Sequence, residues 1–116
     1  MPTYRVNRAA VDKARTLIDQ GQVDDSTDWS AAAPDADAEN AHIDKHGYAG
    51  YAEWHLAEDP DASEETKQRY AFPYGDFRRV HRQGLVHAKQ RAAQNDHLEI
   101  EQAADDLLQR LDAKRA

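Results

Sequence analysis

The stretch Tyr70-Ala71-Phe72-Pro73-Tyr74-Gly75-Asp76-Phe77 contains four of the seven tyrosine and phenylalanine residues of the chain. Pro73 and Gly75 interrupt any helix here, so the stretch predicts a bend. Each buried aromatic ring removes roughly 150–250 Å² from water, which makes a small core built on aromatic residues feasible. We therefore expect this bend, with the nearby histidines, to lie at the centre of the fold.

Composition limits the size of the core around that bend. Leucine, isoleucine, valine and phenylalanine make up only 17 of 116 residues, and the net charge is −7. Such values approach those of disordered chains, so we expect a modest core and a loose segment. The length suits one domain and is too short for a doubly wound dinucleotide fold or a barrel enzyme.

The residue types also exclude several classes of protein. The chain has no cysteine, which rules out disulfides, thiol catalysis and the usual zinc fingers. It also lacks an apolar run long enough for a signal peptide or a bilayer span. These features predict a soluble, cytoplasmic protein with no membrane partner.

Helical spacing dominates the rest of the sequence. Apolar residues recur at this spacing in ranges 7–20, 48–58 and 77–94 and again after Asn95, with shorter helices expected at 38–46 and 62–70. Asn7, Asp76 and the Asp96/Glu99 pair are the expected N-terminal caps. No strand pattern competes. The sequence thus predicts the all-α class: a small helical domain of about five helices with a C-terminal antiparallel helical hairpin.

Two segments are expected within one globular domain. We predict that residues 1–47 form an appendage made of an N-terminal helix and an acidic loop. Trp29 is the expected anchor of that loop, which spans residues 22–40. We predict that residues 48–116 form a helical core centred on aromatic residues. In this core the hairpin of 77–112 packs on the 48–58 helix, with the bend between them.

A local reversal of charge suggests one possible function. No acidic residue lies between Asp76 and Asp96, and on a helix Arg78, Arg82 and Lys89 fall on one side. A basic helix at 78–91 could contact the phosphates of a nucleic acid. The alternative is that these cations pair with the protein's own carboxylates, since the acidic residues outnumber the basic ones. Nucleic acid is therefore a less favoured partner.

Two histidines near the bend suggest another possibility. His55 and His81 each lie on an apolar helical face, where a buried imidazole needs a hydrogen-bond partner. They could form a small-ligand or proton-handling pocket. The candidate binding residues are Trp54, His55, Tyr70, Tyr74 and His81. The competing interpretation is that both histidines are satisfied core residues.

Metal and catalytic motifs are incomplete. His42 and His46 have the i, i+4 spacing of metal ligands, but two ligands do not make a site. The sequence has no nucleophile elbow, no glycine-rich phosphate loop and no pair of carboxylates at a spacing that suits glycoside hydrolysis. We therefore predict no metal, no cofactor and no catalytic residue.

The central block also carries a resemblance. Trp54-His55-Leu56, Thr66-Lys67, Tyr70, Phe72 to Phe77, Val80-His81-Arg82 and Gly84 resemble a block shared by a group of small uncharacterised bacterial proteins. The resemblance covers residues 48–111. It implies that the aromatic turn and its two histidines form one structural unit, and that the segment before residue 47 is an appendage. It implies no activity or cofactor.

These observations favour a non-enzymatic binding or protein-interaction module with a protein partner, because the residues predict contacts without a catalytic constellation. The basic helix at 78–91 and the pocket around His55 and His81 remain alternatives. The oligomeric state is not predicted.

Overall fold

The computed structural model describes residues 3–115, which form five helices and five short strands. The helices are α1 (Arg8–Asp19), α2 (Trp29–Ala32), α3 (Ala36–Ala52), α4 (Arg82–Gln94) and α5 (Leu98–Arg115). The strands are β1 (Arg5–Val6), β2 (Val23–Asp24), β3 (His55–Glu58), β4 (Tyr70–Pro73) and β5 (Val80–His81). None of these helices is both long enough and apolar enough to cross a membrane.

The all-α prediction is wrong, because the chain folds into a mixed α/β structure. Strands β1, β3 and β4 form an antiparallel sheet with β3 in the middle, and β2 pairs with β5 in parallel. The helix predicted at 48–58 ends at Ala52, and His55, Leu56 and Ala57 instead form a fully buried strand. A short apolar run that is buried on both faces shows no alternation, so its pattern does not distinguish strand from helix.

The helix predicted at 62–70 is also wrong. Residues 59–66 form a loop that leads through a 3-10 turn, Lys67–Arg69, into β4. The buried Arg69 guanidinium donates from Nη1 to the carbonyl oxygens of Asp59, Pro60 and Ala62, at 3.3, 3.4 and 2.7 Å. These bonds hold the loop backbone in a non-helical path.

The C-terminal hairpin is present as predicted. Helices α4 and α5 run antiparallel through a short connection at residues 95–97, and two ion pairs bridge them. Arg82 pairs with Asp112, and Lys89 pairs with Asp105. The expected cap at Asp96 does not form, because α5 begins at Leu98 and Asp96 has a left-handed φ of 59°.

Helix α1 packs on the inner side of α5. The helix predicted at 7–20 is confirmed, and Gly21 ends it with a φ of 75°. Its buried face joins the same core as the hairpin and the bend. That face consists of Ala10, Val11, Ala14 and Ile18.

The aromatic bend lies at the centre of this core. Tyr74 is fully buried and stacks on Trp54, with ring centroids 5.4 Å apart. Gly75 allows that stack, because a Cβ there would lie 2.6 Å from the Trp54 ring and 2.5 Å from the Arg79 carbonyl oxygen.

Asp76 forms a turn and does not cap the predicted 77–94 helix. Its Oδ1 accepts from the N–H groups of Arg78 and Arg79, at 3.0 and 2.8 Å. Phe77 has a φ of 68°, which is incompatible with a helix, so the chain turns back at this point and α4 starts only at Arg82.

Candidate functional site

The five residues predicted to bind a ligand lie in or against the core. Trp54 and Tyr74 form its central stack, and the Tyr74 hydroxyl donates to the Glu53 carbonyl oxygen at 2.8 Å. Burial raises the Tyr74 pKa, so its phenol stays protonated. The Tyr70 hydroxyl donates to the Glu64 carbonyl oxygen at 2.9 Å. The hydroxyls of both tyrosines are therefore used within the fold.

His55 is a neutral, hydrogen-bonded imidazole. It is 3% exposed, and its Nδ1 lies 2.9 Å from the Tyr51 carbonyl oxygen. Since a carbonyl can only accept, Nδ1 carries the proton. Burial lowers the His55 pKa to about 4, although the bond to Tyr51 opposes that shift. His55 thus has the features of a satisfied core histidine.

His81 is equally buried but less satisfied. It is 2% exposed, and its Nε2 lies 3.0 Å from Asp76 Oδ2, although neither ring nitrogen forms a well-aligned hydrogen bond. Its ring contacts Trp29, with centroids 5.8 Å apart. The aromatic neighbours of His55 are instead Tyr51 and Tyr70, so the two imidazoles share none.

Asp76 beside His81 stays ionised. Burial alone would raise the pKa of its carboxyl. The nearby imidazole of His81 and the N–H groups of Arg79 and Arg78 outweigh burial and lower the pKa. One oxygen of the Asp76 carboxylate therefore accepts the hydrogen bonds of the turn, and the other lies next to the His81 ring.

Most of the predicted basic stripe is neutralised within the protein. Arg82 Nε and Nη2 donate to Asp112 at 2.9 and 3.1 Å, and Lys89 Nζ donates to Asp105 at 2.8 Å. Only Arg78 of the three is exposed without an ion pair within residues 3–115. This arrangement disfavours phosphate binding by the stripe.

The His42 and His46 rings are in contact at a tilt of 41°, with centroids 4.6 Å apart. His42 stacks on Phe77, with centroids 4.2 Å apart, and its Nε2 donates to the Gly50 carbonyl oxygen at 3.3 Å. Burial lowers the His42 pKa. Across residues 3–115, no group of three or more histidine or carboxylate side chains is arranged to hold a metal ion.

A cleft of about 420 Å³ lies between β4 and α4. Aromatic rings from three distant parts of the chain line it: Tyr4 before β1, Trp29 on α2 and Phe72 on β4. Nitrogen-bearing side chains line it as well, and they come from α4 and the turn after it. The full lining is Tyr4, Trp29, Ala71, Phe72, Pro73, His87, Ala88, Arg91, Asn95 and His97.

The electrostatic character of this cleft is opposite to that of the chain. No carboxylate lines it among the described residues, although the chain has 22 acidic residues against 15 basic ones. Three other surface grooves each include at least one carboxylate from Glu101, Asp105 or Asp106. We therefore regard this cleft as the candidate site.

Tyr4 and Phe72 form an aromatic wall of the cleft, which is held in place by ring contacts and by an unusual backbone conformation. Phe72 meets Tyr4 and His97 edge to face, at 5.8 and 5.9 Å. Its φ of 64° is an outlier for a bulky residue and costs about 1–3 kcal/mol. Such strain often occurs where a ligand is held.

Trp29 also lines the cleft, and Gly84 allows its ring to pack closely against α4. A Cβ on Gly84 would lie 3.0 Å from the Trp29 ring and 2.9 Å from the Tyr74 carbonyl oxygen. The expectation that Trp29 anchors the acidic loop agrees with this contact.

Sequence reasoning missed Tyr4, Phe72, His87, Arg91, Asn95 and His97 as site residues. One available signal was the acid-free stretch between Asp76 and Asp96, which contains His87, Arg91 and Asn95. None of Trp54, His55, Tyr70, Tyr74 and His81 lines the cleft. A ligand pocket at those five residues therefore stays a prediction.

No family model, curated protein or solved structure matches this chain.

Proposed function

We propose that this protein is a non-enzymatic binding module that holds a small organic ligand in the cleft between β4 and α4. The observation that carries the proposal is the lining of the cleft, which combines three aromatic side chains with several nitrogen donors and no carboxylate. Apolar clefts of a few hundred cubic ångströms with a few convergent polar groups are typical of small-molecule sites.

The geometry of β4 favours a small ligand over an extended peptide. Strand β4 lies at the edge of its sheet, where a peptide could in principle add a further strand. Pro73 has no N–H to donate, and Phe72 departs from the extended conformation. Both features interrupt the regular ladder that strand addition requires.

The polar groups of the cleft favour binding over catalysis. His87 and His97 have no carboxylate beside them in the lining that could orient an imidazole as a general base. The lining also contains no serine, threonine or cysteine that could serve as a nucleophile. Its side chains can donate hydrogen bonds and stack, which is sufficient to hold a ligand.

Binding can be tested with three naphthalenes of matched shape: 2-naphthoate, 2-naphthalenemethanol and 2-naphthylmethylammonium. We expect at least one to bind with a Kd of about 1 mM or tighter, the affinity typical of a ligand of this size. Amide NMR shifts should then concentrate at residues 4, 29, 71–72 and 87–97. Trp29 fluorescence should respond, whereas the core residue Trp54 should not contribute.

A cavity-filling variant provides the specificity control. Ala71→Leu adds volume inside the cleft and should weaken binding, whereas Ala9→Leu makes the same change on the exposed face of α1 and should not. The proposal is overturned if no naphthalene binds below about 10 mM, tenfold weaker than the affinity expected for this size. Shifts that map elsewhere would overturn it as well.

A further inference from the structure

We propose that the ligand is a planar aromatic monocarboxylate whose carboxylate is bound by Arg91, an inference that rests on the binding function proposed above. The site would then divide into an anion-binding part on α4 and a ring-binding part made by Tyr4, Phe72 and Trp29.

Arg91 is a cation without a carboxylate partner within residues 3–115. Two other cations of α4, Arg82 and Lys89, form ion pairs with α5. Arg91 instead lies on the side of α4 that faces the cleft, where no carboxylate is present. An unpaired guanidinium beside aromatic rings, with no carboxylate in the same cleft, is well suited to bind an anionic ligand at short range.

Two further donors extend this anion-binding part along α4. His87 lies one turn before Arg91, and Asn95 lies one turn after it, so all three occupy the same side of the helix. Asn95 Nδ2 donates to the Arg91 carbonyl oxygen at 2.8 Å, which fixes the end of the helix next to the cleft. The three side chains on α4 thus have a defined position relative to the aromatic wall.

The position of Arg91 on α4 favours a ligand with a single negative charge. Arg91 lies in the last turn of α4, where the helix dipole is negative and opposes anions. The guanidinium fork matches the two oxygens of a carboxylate and neutralises one charge. A phosphate dianion would leave one charge facing the negative end of the helix, so a carboxylate fits better.

The ring-binding part favours an aromatic body. Tyr4, Phe72 and His97 form an edge-to-face cluster, with centroid separations of 5.5 to 5.9 Å. Flat rings add specific edge and face contacts to such a cluster beyond the area they bury. A saturated ring of equal size lacks these contacts.

The three naphthalenes also test this inference. We expect 2-naphthoate to bind at least about tenfold more tightly than 2-naphthalenemethanol, as a charge-assisted hydrogen bond would provide, and the ammonium analogue to bind most weakly. Saturated decahydro-2-naphthoate should bind more weakly than naphthoate. The dianion 2-naphthyl phosphate should not bind more tightly than naphthoate.

Substitution of Arg91 assigns the effect to one side chain. Arg91→Gln should lower naphthoate affinity about tenfold, to the level of the neutral alcohol, and leave alcohol binding unchanged. Arg78→Gln removes the same charge from an exposed site outside the cleft and should have no effect. Because Arg91 is exposed, thermal unfolding should show that the variant remains folded.

The outcomes separate this inference from the function on which it rests. If the alcohol binds as tightly as naphthoate and Arg91→Gln changes nothing, the carboxylate assignment fails while the binding function stands. If 2-naphthyl phosphate binds more tightly than naphthoate, the inference that the ligand carries a single negative charge is wrong. If decahydro-2-naphthoate binds as tightly as naphthoate, the inference that the ligand is aromatic is wrong. If no compound binds, the proposed function itself fails.

Discussion

Asn7 Nδ2 donates a hydrogen bond to the backbone carbonyl oxygen of Ala52 at 2.9 Å, and it also lies 3.3 Å from the carbonyl oxygen of His55. Asn7 is 7% exposed and makes no side-chain cap to α1. The His55 carbonyl takes its donor from Asn7 because His55 and Pro73 form a non-hydrogen-bonded pair of the ladder, in which the Tyr74 N–H donates to the neighbouring Trp54 carbonyl oxygen instead. One side chain therefore joins the start of α1 to the junction of α3 and β3.

Substitution of Asn7 distinguishes this cross-link from the cap that the sequence predicts. Serine is a good N-cap, so Asn7→Ser would be nearly neutral if Asn7 only capped α1. We expect it to lower the free energy of unfolding by about 1–3 kcal/mol, because buried carbonyls lose their donor. Asn7→Asp, which also caps well but cannot donate, should cost at least as much. Urea denaturation measures both, and a neutral serine variant would contradict the cross-link.

Gly75 should be far less replaceable than Gly21. A Cβ on Gly75 meets backbone and a tryptophan ring within 2.8 Å, so Gly75→Ala should cost about 3 kcal/mol, at the upper end of overpacking effects. Gly21 has a φ of +75° and open space around it, so Gly21→Ala should cost only about 1 kcal/mol of backbone strain. The urea midpoints of the two variants compare these costs, and equal values would show that the bend tolerates the added methyl.

His55 should make stability depend on pH under mildly acidic conditions. Burial lowers its pKa from 6.5 to about 4, so between these values the unfolded chain binds more protons than the folded one. The stabilisation is complete above about pH 6.5 and is lost as the pH falls towards 4. The free energy of unfolding should change by about 3 kcal/mol across this range.

The histidine origin of this pH dependence can be tested with His55→Asn. The asparagine amide can replace Nδ1 as donor to Tyr51 but does not titrate. The slope of unfolding free energy against pH should therefore flatten between pH 6.5 and 4. The His87→Asn variant, which makes the same change at an exposed histidine, provides the matched control. An unchanged slope in the His55 variant would assign the effect to other groups.

Nucleic-acid binding through α4 should be weak, because Arg82 and Lys89 are held by Asp112 and Asp105. We expect no retention of a duplex DNA at about 50 mM salt, where phosphate contacts are strong. The double variant Asp105→Asn/Asp112→Asn frees both cations and should raise any residual affinity. Gel shifts measure this. Tight wild-type binding that Lys89→Gln abolishes would instead favour the nucleic-acid function.

The sequence correctly predicted the elements whose burial pattern is local and long. Helix α1 and the α4–α5 hairpin repeat apolar residues at helical spacing over twelve or more residues, and this pattern identifies a helix with one buried face. The aromatic bend was also correctly expected in the core, since few other side chains could fill it. The strands were missed because none exceeds four residues and the central β3 is buried on both faces.

By itself, then, the sequence determined helices α1, α4 and α5, the turn residues Gly21 and Asn95 that follow two of them, and the small number of aliphatic core residues. Only the tertiary structure decided the sheet, the partner of Asn7 and the cleft. The cleft unites Tyr4, Trp29, Phe72 and Arg91, which lie far apart along the chain. The physical reason is that helical periodicity is set by neighbours within a few residues, whereas strand pairing and concave surfaces depend on contacts between distant segments.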